Sequence, residues 1–379
     1  MFNCIIVGAG PAGATTAYHL AKQGHSVLVL EKADLPRYRP GGGGISPMVK
    51  QWLNIDFSPV IAAQVSQVRY TWKMGDPVQA NLQSTEPMWM VKRDQFDHFL
   101  VQQAQQQGAN IQTEEAVTGI EKKGDHWQVT TAKGSYESQY LVAADGANGV
   151  TAAALGLKAG KPTLGVVLEV KTAVAPNHAN TALFDFGTIK NGYIWCFPKG
   201  DGYSISAGIF RGDKGKAEQL HKQLLDYSKE NGIDTRNSQF YETSLNLWSE
   251  NSPLHTSQGL VVGEAAGMVD PLLGEGVRPA IYTGWKAAEA VNAALSGNES
   301  ALAEYSQEIH DTFGNDFALA SRLAGLFYQF PKIAYKVALK RPAAAKIMSK
   351  ILCGESSYSE VTDKAIQAIK KNLIPGMKG

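Results

Sequence analysis

Three glycines and a glutamate carry the first chemical signal. In NCIIVGAGPAGATTAYHLAKQGHSVLVLEK, Gly8, Gly10 and Gly13 keep the G-x-G-x-x-G spacing, with Pro11 and Ala12 between the last two. Each glycine has its own task in such a turn. The first permits a tight bend, the second lets a pyrophosphate approach the backbone, and the third lets helix and strand pack closely. The helix that follows offers its N-terminal amides and the positive end of its dipole to phosphate. Glu31 closes the next strand eighteen residues after Gly13 and is placed to accept hydrogen bonds from a ribose; Lys32 beside it is assigned to the same site. A carboxylate there repels a 2′-phosphate, so FAD or NAD fits and NADP does not. Taken alone, the triplet is also compatible with an ordinary strand-to-helix turn. Strand, triplet, helix, strand and acid in one register make it a dinucleotide signature.

A second group of residues is spread along the chain. RPGGGGISP holds four consecutive glycines, Gly41 to Gly44, a costly run unless something must come close to the backbone. Arg93 precedes the helical stretch DQFDHFLVQQAQQQG and either packs there or reaches a phosphate. Asp145-Gly146 ends the buried run LVAA, and Asp270-Pro271 follows GEAAG; each is a turn or a cofactor contact. GEGVRPA, with Gly274, Gly276 and Val277, opens a long helix whose first amides are expected to face the contents of a cleft. Tyr193, Trp195, Phe197 and Pro198 in YIWCFPKGDG are core residues or the lining of an apolar pocket. The histidines show no metal-ligand spacing, and no metal site is expected.

These residues need a particular scaffold. Short apolar runs joined by helices predict a Rossmann-like α/β domain, while the glycine-separated alternating segments predict antiparallel sheet. Residues 1–65, 94–158 and 255–300 are assigned to a discontinuous FAD-binding domain. Residues 66–93 and 159–254 form an inserted, mostly antiparallel substrate-binding β domain, and 301–379 a C-terminal helical region. The chain has 379 residues and a formal charge of +1, so no global field draws nucleic acid. Three cysteines without paired spacing suit a reducing compartment, and the N-terminus runs directly into a strand. A cytoplasmic protein, at most peripheral on a membrane, is expected. FYQFPKIAYKVALKRPAAAKIMSKIL suggests basic amphipathic helices, with Lys332, Lys336 and Lys340 on one face and Ile333, Val337, Ile347 and Ile351 on another.

Together the glycine triplet with its acid, the Ala-Asp-Gly strand end and the Gly-Glu-Ala-Ala-Gly…Asp-Pro segment resemble the FAD-dependent oxidoreductases of the aromatic-hydroxylase fold. Within them the chain resembles the geranylgeranyl reductase family over nearly its whole length. The pattern Tyr-x-Trp-x-Phe-Pro at 193–198 carries the most specific match, supported by GISP, GEGVRPA and SYSEV. The resemblance implies a reduced FAD that saturates C=C bonds of an isoprenoid chain, with NADPH or a ferredoxin as a transient electron donor. It implies that Gly42, Gly43 and Gly44 lie beside the isoalloxazine, that Arg37 stands near the flavin or its phosphates, and that Glu264 holds the ribityl chain. It further implies that Tyr193, Trp195, Phe197 and Pro198 line a channel for a prenyl lipid. Three positions depart from the family pattern: Gly41 where a cysteine is usual, Glu264 for aspartate, and Phe210 for a glycine. A flavin monooxygenase acting on an aromatic or quinone-like ring and a non-catalytic prenyl-lipid carrier are the other readings of the same scaffold.

Overall fold

The computed structural model describes residues 1–360 apart from 83, 158, 159, 161, 213, 214 and 251. At its centre lies the strand Phe2–Val7, whose last four residues are buried. It pairs in parallel with Val27–Leu30 on one side and Ser135–Ala143 on the other. Asn110–Gln112 and Gly259–Val261 extend the parallel sheet outward at its two sides. All four residues of Val27–Leu30 are buried, which is why this segment reads as an uninterrupted apolar run rather than an alternating one. The antiparallel meander Val117–Lys123 and His126–Thr131 hangs from Ser135–Ala143.

Helix Pro11–Lys22 packs on this sheet against helix Val277–Leu295. The two approach closely because Gly284 has no side chain: a Cβ there would lie 2.4 Å from the Ala12 carbonyl oxygen. Thr16 fastens the crossing by donating its hydroxyl to the Gly284 carbonyl at 3.0 Å.

The second sheet has seven strands and is antiparallel except where Thr181–Phe186 runs parallel to Gln67–Trp72. Helix Ala217–Glu230 covers one of its faces, where Ile194 and Cys196 meet Leu220 and Leu224. Gln67–Trp72 and Gly75–Asn81 belong to it. Met88–Val91 does not. It forms a separate three-stranded sheet with Gly44–Ile45 and Ile61–Val65, joining the glycine run to the substrate side of the molecule.

From Ala301 to Leu352 the chain is helical in sections. The apolar face expected from Ile333 to Ile351 is divided, because a π-turn at Tyr335–Leu339 and the extended Arg341 before Pro342 shift the helical phase. Ile351 is buried and Ile347 packs beside it against the body, whereas Ile333 is exposed. Among the described residues no helix is long and apolar enough to cross a membrane. Residues 361–379, including the valine of SYSEV, lie outside the described residues.

Candidate active site

The three glycines of the first turn divide into two kinds. Gly8 adopts φ +104, and a Cβ there would lie 2.4 Å from the Ala144 carbonyl oxygen. At Gly13 a Cβ would lie 2.0 Å from the Gly8 carbonyl oxygen. The fold itself excludes side chains at both. Gly10 is different: a Cβ there would meet only the Arg37 guanidinium, at 4.0 Å. Its missing side chain leaves room over the start of helix Pro11–Lys22, which has no side-chain cap. That is the space a pyrophosphate needs at a helix N-terminus.

A chain of alternating charges runs along the wall beside it. Glu31 accepts from the Ala9 amide at 3.0 Å and the Ala33 amide at 3.1 Å. Arg37 joins Glu31 at 3.2 Å to Asp97 at 3.3 Å, and Arg93 grips the same Asp97 with two nitrogens at 2.8 and 3.0 Å. Asp97 is 1% exposed, so its charge stays buried only because both guanidiniums neutralise it. Sequence reasoning missed Asp97, although its i+4 spacing from Arg93 on a helix is the signal that marks it. Across the cleft Arg39 bonds Glu264 at 2.5 Å, and Glu264 also accepts from the Asn246 amide at 3.2 Å. The extra methylene of Glu264 thus lets it hold a guanidinium and a strand end together.

Two aromatics and a lysine lie against the glycine run. A Cβ on Gly42 would stand 2.4 Å from Trp195 Nε1, and one on Gly44 would stand 2.9 Å from Phe197. At Gly43 the neighbours are the Val91 carbonyl oxygen at 2.3 Å and Lys199 Nζ at 2.5 Å, with φ +68. Lys199 is 5% exposed and donates to the Gly42 carbonyl and, at 2.7 Å, to the Val91 carbonyl. Burial brings its pKa down to about 8, with Glu169 acting in the opposite direction. This ammonium pins the run to its neighbouring strand. Nothing in the FPKGDG pattern identifies the lysine as more than a turn residue. Nearby, Tyr38 and Ser204 donate to Glu169, each at 2.8 Å.

The strand Gly192–Pro198 explains the spacing of its aromatics. Successive side chains alternate between sheet faces, so Tyr193, Trp195 and Phe197 share one face while Ile194 and Cys196 enter the core on the other. The Tyr193 hydroxyl donates to the Leu273 carbonyl at 2.5 Å, and burial raises its pKa well above the usual value. Phe210 stacks on Tyr193 with centroids 4.9 Å apart and planes 8° off parallel. It occupies the gap between the glycines, 3.0 Å from the position of a Gly208 Cβ and 2.8 Å from that of a Gly274 Cβ.

One cavity of about 670 Å³ connects these parts. Most residues singled out in the sequence line it: Gly8, Gly10, Pro11, Ala12, Glu31, Lys32, Arg37, Gly42–Gly44, Arg93, Asp145, Gly146, Glu264, Gly274, Gly276, Val277, Tyr193, Trp195 and Phe197. Gly13, Pro198 and Asp270 are not on its wall. Pro198 follows Phe197 and therefore points to the opposite sheet face. Asp270 is 1% exposed and folds its own loop, accepting from the Leu272 and Leu273 amides at 2.7 and 2.9 Å and from the Tyr358 hydroxyl at 2.8 Å. Burial raises its pKa to about 6. The carboxylate of Asp145 is partly committed as well, accepting from the Val150 and Thr151 amides at 2.9 Å.

The residues present fit an FAD. The helix start at Gly10 admits a pyrophosphate, Glu31 offers a carboxylate for ribose, and the cavity continues past two arginines to a glycine run and a wall of aromatics. These features define a dinucleotide-binding flavoprotein. The chain belongs to the FAD binding domain family, whose model matches residues 1–314, and it is a flavin-dependent oxidoreductase. A digeranylgeranylglycerophospholipid reductase from Methanocaldococcus jannaschii is 26% identical over 323 residues, covering 80% of this chain and 81% of that protein. A geranylgeranyl bacteriochlorophyll reductase-like protein from Thermoplasma acidophilum superposes with a TM-score of 0.80 at 20% identity, covering 97% and 99% of the two chains. A flavin-dependent brominase shares the fold with a TM-score of 0.73 at 18% identity, covering 98% of each.

Proposed function

We propose that this flavoenzyme reduces C=C bonds in the isoprenoid chain of a prenyl lipid. The observation that carries the reading is the polarity gradient of this cavity. Its Glu31–Arg37–Arg93 end suits a charged dinucleotide, and its other end is walled by Tyr193, Trp195, Phe197, Phe184, Met88 and Leu352. An apolar chain lying there meets rigid aromatic surface and few groups that need water. The name of the Methanocaldococcus jannaschii relative supports a lipid with geranylgeranyl chains.

When bound, reduced FAD supplies a hydride to one carbon of the double bond; with a proton added at the other carbon the bond is saturated and the cofactor is left oxidised. The protein's share is position and exclusion of water. Arg37, Arg39 and Arg93 would hold the cofactor's anionic part, and Glu31 its ribose. The bare Gly42 and Gly44 let Trp195 and Phe197 close on the glycine run, and Lys199 fixes that backbone through two carbonyls. Trp195 and Phe197 lie against the glycine run and, with Tyr193, wall the apolar end where the lipid chain would lie. Tyr193 keeps its proton on Oη, directed at the Leu273 carbonyl. NADPH or a ferredoxin returns the electrons from outside the site, in a cytoplasmic setting that keeps the three buried cysteines reduced.

The test is spectroscopic. The FAD-loaded protein, reduced without oxygen, should regain its oxidised flavin absorbance when a geranylgeranyl phospholipid is added and remain bleached with the fully saturated analogue. Equal recovery with both lipids, or none with either, would remove the reading. Recovery only on admitting oxygen and an aromatic substrate would favour a monooxygenase.

A further inference from the structure

The C-terminal helices pack against the aromatic wall through Ala324, Tyr328 and Tyr335, Leu352 reaches the cavity, and their outer side carries an unusual surface. From Phe317 to Gly354 the chain contains seven basic residues and no acidic one. With a total formal charge of +1, the rest of the chain sums to −6. Six of the seven, Arg322, Lys332, Lys336, Lys340, Arg341 and Lys346, are exposed. Among the described residues only Lys340 of these forms an ion pair, with Asp76 at 2.5 Å. Arg211 adds a further cation by donating to the Gly325 carbonyl of the same cover at 2.8 Å.

Two apolar side chains stand in the middle of this charge. Phe330 and Ile333, 37% and 38% exposed, are two of the five exposed large hydrophobic residues among the described residues; the other three, Met1, Val150 and Leu225, lie far apart in sequence. Phe330 and Ile333 are three residues apart at the start of the short helix Pro331–Ala334, with Lys332 between them and Lys336 one turn on.

We propose that this face is the docking surface for a membrane rich in anionic lipid. Apolar anchors ringed by lysines suit a bilayer whose headgroups are negative and whose acyl region accepts Phe330 and Ile333. Charge argues against the chain's own C-terminal residues as the cover, since 361–379 carry four lysines and one aspartate and so share the sign of the patch. Position also favours a lipid surface. Tyr335, buried just behind Ile333, lies 6.4 Å from Phe186, and Phe186 lies 5.2 Å from the cavity-lining Tyr193. A thin layer of aromatics therefore separates the proposed membrane face from the apolar end of the cavity. The assignment rests on charge and exposure and stands apart from the prenyl-reductase reading.

The test is co-sedimentation of the full chain with phosphatidylcholine vesicles, with and without a third of the lipid replaced by phosphatidylglycerol. Binding is expected only to the anionic vesicles and should vanish at about 1 M salt, where the screening length falls to about 3 Å. The double variant Lys332→Glu/Lys336→Glu should bind at least tenfold more weakly. Phe330→Ser/Ile333→Ser keeps every charge and should lose a comparable factor. All four side chains are exposed, so both variants should melt with the wild type; Lys346→Glu/Arg322→Glu gives a second charge test if either does not. Absence of vesicle binding, equal binding to neutral vesicles, or wild-type binding by all the variants would overturn the proposal. Equally tight, salt-sensitive binding to duplex DNA would reduce the face to a general polyanion surface and overturn it too. Vesicles bound with their lipid chains left unreduced would leave the surface standing and count against the reductase reading alone.

Discussion

Gly10 and Gly13 lie three residues apart, yet alanine at each should fail in a different way. At Gly13 a Cβ would sit 2.0 Å from the Gly8 carbonyl oxygen and 3.1 Å from the Ala144 Cβ. Real carbon–oxygen contacts need more than an ångström beyond the first of these, and neither partner is a flexible chain end. Helix Pro11–Lys22 must then move off the central strand, an overpacking that costs about 1–3 kcal/mol or more. At Gly10 the new methyl meets only the Arg37 guanidinium, at 4.0 Å. Alanine is a slightly poorer N-cap than glycine, but it also lowers the entropy of the unfolded chain by about 0.4–1 kcal/mol, so the two effects nearly cancel. The methyl instead occupies the space reserved for pyrophosphate. Gly10→Ala should therefore keep the apoprotein within about 0.5 kcal/mol of wild type while weakening FAD at least tenfold, or about 1.4 kcal/mol. Denaturant unfolding of the apoprotein and FAD titration by fluorescence quenching separate the two quantities. A Gly10→Ala variant that binds FAD normally, or a Gly13→Ala variant as stable as wild type, would overturn this assignment of roles to the two glycines.

Other consequences follow from the buried groups and the aromatic wall. Asp270 binds its proton more tightly in the folded state, with its pKa raised from 3.8 to about 6. Its contribution is full below the lower value and lost as pH rises through about 6, a loss of about 3 kcal/mol that Asp270→Asn should abolish in urea titrations at pH 4 and about pH 7. Lys199 has the opposite sign, its pKa falling from 10.5 to about 8. Its contribution is present above the upper value and lost as pH falls through about 8, so Lys199→Met should flatten the stability profile over that window by about 3 kcal/mol. The same variant frees the Gly42 and Val91 carbonyls and should lower kcat more than it changes FAD affinity. Trp195→Ala should leave FAD binding within a few-fold of wild type and raise KM for a prenyl lipid by about tenfold, because it removes wall from the apolar end only.

The elements whose identity depends on local pattern were the legible ones. The glycine triplet, the run Val27–Leu30 and the alternation of Tyr193, Trp195 and Phe197 each announce a strand or turn from neighbouring residues alone. Side chains that meet across long separations were not legible. Lys199 acts on Gly42 and Val91, over a hundred residues away, and Arg39 finds Glu264 more than two hundred residues on. Asp270 shows the converse. Its place after GEAAG suggests a cofactor contact, but the Tyr358 hydroxyl comes from a distant segment and the carboxylate turns inward to meet it. The basic C-terminal stretch has an amphipathic pattern, yet Ile333 and Ile351 divide between surface and core because a π-turn and the break before Pro342 change the register between them.

The most direct measurement is the mass of the lipid product. The FAD-loaded protein would be reduced chemically without oxygen, given a mixture of geranylgeranyl lipids, and the extract analysed by mass spectrometry. Products should be heavier by one hydrogen pair for each bond saturated, with Gly10→Ala producing less at limiting FAD. Lipids recovered unchanged from a protein whose bound flavin stays reduced would contradict the reductase reading.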